Sequence, residues 1–442
     1  MTCTHHLPLP PLAPGLPLLG NAMGMMGDVQ AFFVRHYRML GPIFRVRALN
    51  QAFTIMAGAE ANHFLRTQGE EYFSNQDTMG GLNKEFHMRV HVLTGRAHRH
   101  LRKHLGSALS RDLLAARWDH FVALTERRIH AWCTGKSVPV VDQFQRLAAE
   151  QLSTVLTGAA TTAQFDLLRR AFELVLEVTV TGKWPAAALR LPTYRKARAK
   201  ILAFAHAALA ERAAHPHGGP PDLLDHALAA TDEHGRPYPP DVRAGMALQG
   251  YFAGINTVAY LYSFMLYALL RHPDVLARVT GEVNTILADG RPSFDALRDM
   301  RTLQGLVLET LRVYPPAPGS ARTAVKPFRF NGFRVDGGTR VLVATTVPHH
   351  LAEHYSDPHV FDIDRAFLEK RRNDVYAPFS VGPHTCLGAG LTEVLAAATM
   401  AILVQNVRLR LPSPDYRLRI QASPGPNPGR RFKVNVLGAR PA

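Results

Sequence analysis

Phe379-Ser380-Val381-Gly382-Pro383-His384-Thr385-Cys386-Leu387-Gly388 surrounds one cysteine with glycines, and an apolar segment of helical character follows directly. A thiolate in such a loop must stay deprotonated while kept from bulk water. Backbone N–H groups aimed at the sulfur, together with the positive end of the following helix, stabilise its charge. Gly382 and Gly388 permit the close approach and positive φ that a tight loop needs. Phe379 is placed to shield the sulfur. The alternative is that Cys386 is a small buried hydrophobe ahead of an ordinary helix, as most free cysteines are. The phenylalanine, both glycines and His384 at fixed offsets favour a thiolate that ligates haem iron.

The loop resembles the haem-binding signature of the cytochrome P450 superfamily, haem-thiolate monooxygenases with the pattern Phe-x-x-Gly-x-Arg/His-x-Cys-x-Gly, and the sequence fits every position. Other matching elements occur in the family's order from about residue 8 to residue 390. The resemblance implies a mainly α fold with small β-sheets (α+β) and a long central helix over the haem. It implies heme b (iron protoporphyrin IX) with Cys386 as axial iron ligand, O2 as co-substrate, and NAD(P)H electrons arriving through redox partners.

With 442 residues and 47% hydrophobic content, the chain is ample for a large core. No linker long enough to separate independent units occurs, so one domain over 1–442 is expected. His215-Pro216-His217-Gly218-Gly219-Pro220-Pro221 reads as a surface loop between helices. Three cysteines, Cys3, Cys133 and Cys386, are too scattered for a disulfide framework or a zinc site, which fits a reducing compartment. No basic segment followed by an apolar core opens the chain, and no unbroken run of eighteen apolar residues occurs. A cytoplasmic, bacterial protein without a membrane anchor is the expectation, with the monomer as its state.

The net charge of +16 often marks nucleic-acid binding, but here the cations form neither a dense tail nor an aromatic-interleaved stripe. They gather as Arg96, Arg99, Arg102 and Lys103, and as Lys370, Arg371 and Arg372. The resemblance puts both groups on the face behind the cysteine, where they would steer an acidic ferredoxin or flavodoxin supplied by its reductase.

Residues 1–27 are proline-rich, and Leu7 to Asn21 is neither helix nor central strand because each proline removes a donor and fixes φ. Residues 28–40 carry a helical apolar stripe. Pro42 to Ala57 reads as a hairpin broken at Asn50-Gln51, helix formers dominate from about 98 to 213, and Tyr416 to Ile420 and Arg431 to Val436 alternate as strands. Asp241 to Arg271 is a long, largely buried helix ending before Pro273. Within it, Ala253 and Gly254 are small enough for a flat ligand to lie against the helix, and the Thr257 hydroxyl can hydrogen-bond what binds there.

The matching family motif, Ala/Gly-Gly-x-acid-Thr, crosses the distal haem face. This chain departs from it, with Asn256 where an acid is usual. An amide orients water but does not ionise near neutral pH. Glu309 and Arg312 lie on one helix face and resemble the family's Glu-x-x-Arg, joined by Arg365 in a buried structural network. By resemblance, the haem propionates are held by His98, Arg102, Arg322 and His384.

These readings imply insertion of one oxygen atom into a lipophilic small molecule. Leu189 to Ala197 looks like a lid segment of relatives that oxidise retinoids and sterols, favouring an isoprenoid (carotenoid, retinoid, terpenoid or steroid) over a fatty acid. The expected pocket lining is Tyr72 to Leu93, Leu176 to Leu191, Leu248 to Thr257, and Pro318 to Ala321. Asn256 leaves open a peroxide-driven peroxygenase or a haem-thiolate isomerase or dehydratase; a non-catalytic haem sensor is the remaining class.

Overall fold

The computed structural model describes residues 6–48, 51–134, 136–158, 163–287, 292–365 and 372–439. Helices dominate, and among the described residues three small sheets sit at their margins, as the mainly α reading expects. The largest sheet runs in the order Ile43–Ala48, Gln51–Ala57, Arg340–Ala344, Ser320–Ala324, Phe73–Ser74. Its first pair is antiparallel, and the second strand meets the third in parallel, Thr54 opposite Val341. Gln51 belongs to the second strand rather than to the turn, and Asn50 lies outside the described residues.

Prolines keep the chain around Pro11 out of regular pairing. It nevertheless joins the sheet edge through two bonds, Arg45 N to Pro11 O at 2.7 Å and Ala13 N to Arg45 O at 2.8 Å. Tyr416 to Ile420 is not a strand; its alternation packs Tyr416 and Leu418 onto the core without a paired neighbour. The terminal strand is Lys433–Ala439, set between Ser137–Pro139 and Val407–Arg410.

The Pro240–Arg271 helix organises the rest. Proline opens it at the first helical turn, and Pro273 forces its stop because the residue before a proline avoids the helical region. Apolar on almost every face, it runs through the core. Two glycines let it close on the Val140–Leu156 helix. A Cβ at Gly250 would come within 2.4 Å of Leu156 Cδ1, and one at Gly254 within 2.6 Å of Leu152 Cδ1. This helix and the Ala389–Asn406 helix are apolar and long enough to cross a membrane, a match that counting unbroken apolar runs misses. The protein itself buries 72% and 61% of their apolar windows.

Candidate functional site

Backbone geometry makes the cysteine loop. Ser380 and Gly382 adopt φ of 63° and 82°. A Cβ at Gly382 would meet Leu65 O at 2.9 Å, so both conformation and space call for glycine. Cys386 N donates to Phe379 O at 3.0 Å, and Thr385 N and Oγ1 both donate to Gly382 O. Phe379 packs against the main core cluster. Gly388 differs from the expectation. Its φ is −89°, and it caps the N-terminus of the Ala389–Asn406 helix. Positive φ falls on Ser380 instead, and the Gly388 N–H is directed at the cysteine sulfur.

Cys386 lies deep among protein atoms, and this burial pushes its thiol up, opposed by the Gly388 N–H and the charge of Arg102. Its surface is nonetheless accessible. It therefore lines an internal space and is not packed as a small core hydrophobe. Arg102, on the Gly95–Ser107 helix, donates from Nη2 to Thr385 O and so ties that helix to the loop.

Four basic groups converge here. The His98 and His384 rings stack at 4.0 Å, and Asn75 Nδ2 donates to His384 Nδ1 at 3.3 Å. Burial, then the charges of His98 and Arg322, pull His384 down to about 3. His98 is 1% exposed with neither ring nitrogen partnered. Arg322 is buried and donates to Ala321 O at 2.8 Å; desolvation lowers it to about 10. Among the described residues, no carboxylate lies within 4 Å of Arg102 or Arg322.

His91 completes this cluster, although the sequence reading did not single it out. Burial, with His98 and Arg322 nearby, pulls it down to about 4. Gln249 Nε2 lies 2.6 Å from its Nε2, and the Phe252 ring meets it edge-on. His91 thus spans from the basic cluster to the long helix one turn before Ala253. Gln249 and Asn256, polar and seven apart on an apolar helix, are the sequence signal that points to this face.

Along that helix, Ala253 and Thr257 are exposed while Ile255, Asn256 and Val258 are buried. They sit one turn apart and so share a face. Thr257 Oγ1 donates to Ala253 O at 2.6 Å. Gly254 does not share this role, because its missing side chain accommodates Leu152 of the neighbouring helix. Asn256 accepts at Oδ1 from Gln145 Nε2, 2.7 Å away.

The Glu309, Arg312 and Arg365 set lies apart from these groups and is buried. Arg312 uses its full donor capacity, giving Nε and Nη2 to Glu309, Nη1 to His349 O and Pro358 O, and Nη2 also to Val360 O. Glu309 Oε1 also accepts from Asp362 N at 3.0 Å and lies 3.6 Å from Arg365 Nε. His349 carries the network toward the cysteine loop, with Nδ1 against Arg312 O and Nε2 accepting from Ala377 N at 2.9 Å.

These residues fit a haem. Among the described residues, buried His98 has two unpartnered nitrogens and buried Arg322 has no carboxylate beside it, an arrangement that suits a dianionic edge. The accessible Ala253–Thr257 face and the Gly388 N–H beside the Cys386 sulfur suit a flat ring ligated by thiolate.

The family model described as Cytochrome P450 matches residues 10–425. The chain is 26% identical to cytochrome P450 120 of Synechocystis sp., over 99% of each chain. It is 28% identical to the sterol 14alpha-demethylase of Mycobacterium tuberculosis, over 66% of this chain and 68% of that one. Cyanobacterial CYP120A1, solved bound to retinoic acid, superposes with a TM-score of 0.85 at 24% identity, covering 98% of this chain and 100% of that one. With its family match, thiolate loop and anion-seeking cluster in register, the chain belongs to the cytochrome P450 family, the haem b monooxygenases that use O2 and electrons passed from NAD(P)H through redox partners.

Proposed function

We propose that this enzyme hydroxylates a lipophilic isoprenoid of the carotenoid, retinoid, terpenoid or steroid kind, with electrons delivered by a ferredoxin or flavodoxin to a cytoplasmic, monomeric protein. The observation that carries the site assignment is the convergence of His98, Arg102, Arg322 and His384 around the Cys386 loop with no carboxylate partner among the described residues. Relatives that bind retinoic acid or demethylate sterols support the substrate class.

Bound haem, held by Cys386 and by these four cationic or donor side chains, supplies dioxygen activation. The chain supplies the rest. Gly388 N–H and Arg102 stabilise the thiolate against the burial that favours the thiol. Ala253 leaves space for a flat group along the long helix. The Thr257 hydroxyl, at 2.6 Å from Ala253 O, holds a proton where it can pass to water in the distal space. Asn256 orients that water without ionising. Phe252, half-buried beside Ala253 and backed by the packed rings of Phe172 and Phe86, presents apolar surface to a lipophilic substrate.

The amide at Asn256 favours a second reading, peroxide-driven oxygenation, which needs no acid–alcohol relay. Product analysis with ferredoxin, its reductase and NADPH, set beside peroxide alone, separates the two. Hydroxylated product only with the electron chain is the expected result; product only with peroxide establishes the second reading. Cys386→Ser should abolish the red-shifted carbonyl band of thiolate ligation. An unchanged spectrum overturns the site assignment.

A further inference from the structure

The chain leaving the Gln76–Phe86 helix runs directly across the long helix at Gly245, where a Cβ would come within 2.5 Å of Phe86 O and 2.6 Å of His87 O. One turn further along, Gln249 meets the same loop again. Its Nε2 lies 2.6 Å from His91 Nε2, and the Phe252 ring meets the His91 ring edge-on at 5.8 Å. His91 is thus held by two neighbours while it sits deep among protein atoms and keeps part of its surface accessible. Like Cys386, it lines an internal space.

The other two polar atoms of the pair are uncommitted. Among the described residues, neither His91 Nδ1 nor Gln249 Oε1 has a hydrogen-bond partner, and neither is sealed from access as both nitrogens of His98 are. Held down to about 4 by burial, the imidazole is neutral near pH ~7 and carries a single N–H. With the amide donating to Nε2, the pair offers the space one donor, Nδ1–H, and one acceptor, Oε1. Turning the amide over and moving the ring proton exchanges these roles and leaves the same count. Such a pair complements a hydroxyl, which both donates and accepts. A carboxylate or phosphate only accepts and sets its lone pairs against the acceptor, and a hydrocarbon leaves both groups unpaired.

We propose that His91 and Gln249 determine substrate choice by holding a hydroxyl group of the substrate, which is therefore a lipophilic alcohol. Gln249, Ala253 and Thr257 follow one another at intervals of four on one face of the long helix. Accessible surface of His91, Phe252, Ala253 and Thr257 lines the stretch from the pair to the reaction face, each residue in contact with the next. Thr257 stands about 12 Å of helix rise beyond Gln249, so a hydroxyl anchored at the pair presents for oxidation a carbon remote from it. The inference deepens the isoprenoid monooxygenase reading by naming the polar end of the substrate, and rests on it for the chain that end carries.

The test is equilibrium binding to haem-loaded protein by calorimetry, with the haem absorbance followed in parallel. Geranylgeraniol is set beside its methyl ether, which accepts but does not donate, and beside geranylgeranoic acid; cetyl alcohol and its methyl ether repeat the comparison on a straight chain. Geranylgeraniol should bind about tenfold more tightly than the ether or the acid, the net of one or two hydrogen bonds. His91→Leu and Gln249→Leu should each erase that preference, and the double variant should do no more, because the two side chains act as a unit. His91→Gln, which keeps a donor and an acceptor, should retain part of it. A preference for the alcohol in neither series, tightest binding of the acid, or variants that weaken alcohol and ether alike or release haem would overturn the proposal. An alcohol preference confined to the straight-chain series keeps the pair in its role and overturns instead the isoprenoid reading.

Discussion

Gln145 on the Val140–Leu156 helix donates its Nε2–H to Asn256 Oδ1 at 2.7 Å, with both side chains buried. The bond fixes the carbonyl of the Asn256 amide toward Gln145 and turns its amino group away. The position that the resembling Ala/Gly-Gly-x-acid-Thr motif gives to an acid is thus held by a neutral pair and contributes no titrating proton. With Asn256→Asp, the same Gln145 donor would stabilise the ionised carboxylate. The variant should show a changed solvent isotope effect on turnover. Adding Gln145→Leu removes the donor, so the carboxyl should titrate at higher pH than in Asn256→Asp alone. An isotope effect identical to that of the parent would mean that protons arrive by another route.

Thr257 shares with Ala253 an accessible face on a largely buried helix, and among the described residues its hydroxyl bonds the Ala253 carbonyl of its own helix alone. A hydroxyl so placed is free to relay through water at the cost of one weak local bond. Thr257→Ala should keep haem and substrate binding yet lower product formed per electron by about 10²-fold, the low end of positioned proton transfer. The missing electrons should appear as peroxide. Undiminished coupling removes Thr257 from proton delivery.

Arg312 spends five N–H donors on Glu309 and three backbone carbonyls, all out of water. Breaking one partner of a buried pair leaves an uncompensated charge and costs about 3–5 kcal/mol. Glu309→Ala should therefore lower the denaturant midpoint and speed haem loss. Arg365→Ala, whose Nε is 3.6 Å from Glu309, should do so less. A Glu309→Ala protein as stable as the parent but inactive would move this residue from folding to chemistry.

The cysteine loop, the long helix and the Glu309–Arg312 pair were legible in the sequence because each rests on local spacing. Two misreadings share a cause. The sequence suggests a ligand-facing Gly254 and a positive-φ Gly388, yet one makes room for Leu152 and the other caps a helix at ordinary φ. A glycine's letter does not say which neighbour approaches it. His91, Asn75 and Gln145 were missed because their partners His98, His384 and Asn256 are distant in the chain or on another element. Alternation at Tyr416 to Ile420 reported burial of one side but not a paired strand.

His349 and His350 stay neutral in the folded chain. Burial holds His349 well below its ordinary value, and burial with the Arg312 charge pulls His350 to about 3. An unfolded chain protonates both near pH ~6.5, so below that pH it takes up more protons than the folded one. Stability is therefore fully present above about pH 6.5 and declines as acid is added toward about pH 3. Urea midpoints across this window should fall steadily. His349→Gln should flatten the decline in part, since the Nε2 that accepts from Ala377 N is what protonation removes. An unchanged slope would assign the acid sensitivity elsewhere.

Of the basic group at 96–103, only part remains available to a redox partner. Arg102 is turned inward to Thr385 O, and Arg99 Nη1 pairs with Glu70 at 3.0 Å. Arg96 and Lys103 are exposed, as is Arg372, whereas Lys370 and Arg371 lie outside the described residues. Surface charges of this kind act on encounter and little on the bound complex. Lys103→Glu combined with Arg96→Glu should raise the KM for ferredoxin by about tenfold at low ionic strength and leave kcat at saturating ferredoxin unchanged. The difference should shrink once salt brings the Debye length to about 3 Å, near 1 M. A kcat loss that salt does not relieve would mean that these cations act on the haem side through Arg102, and a KM equal to the parent's at low salt would place the electron carrier on another face.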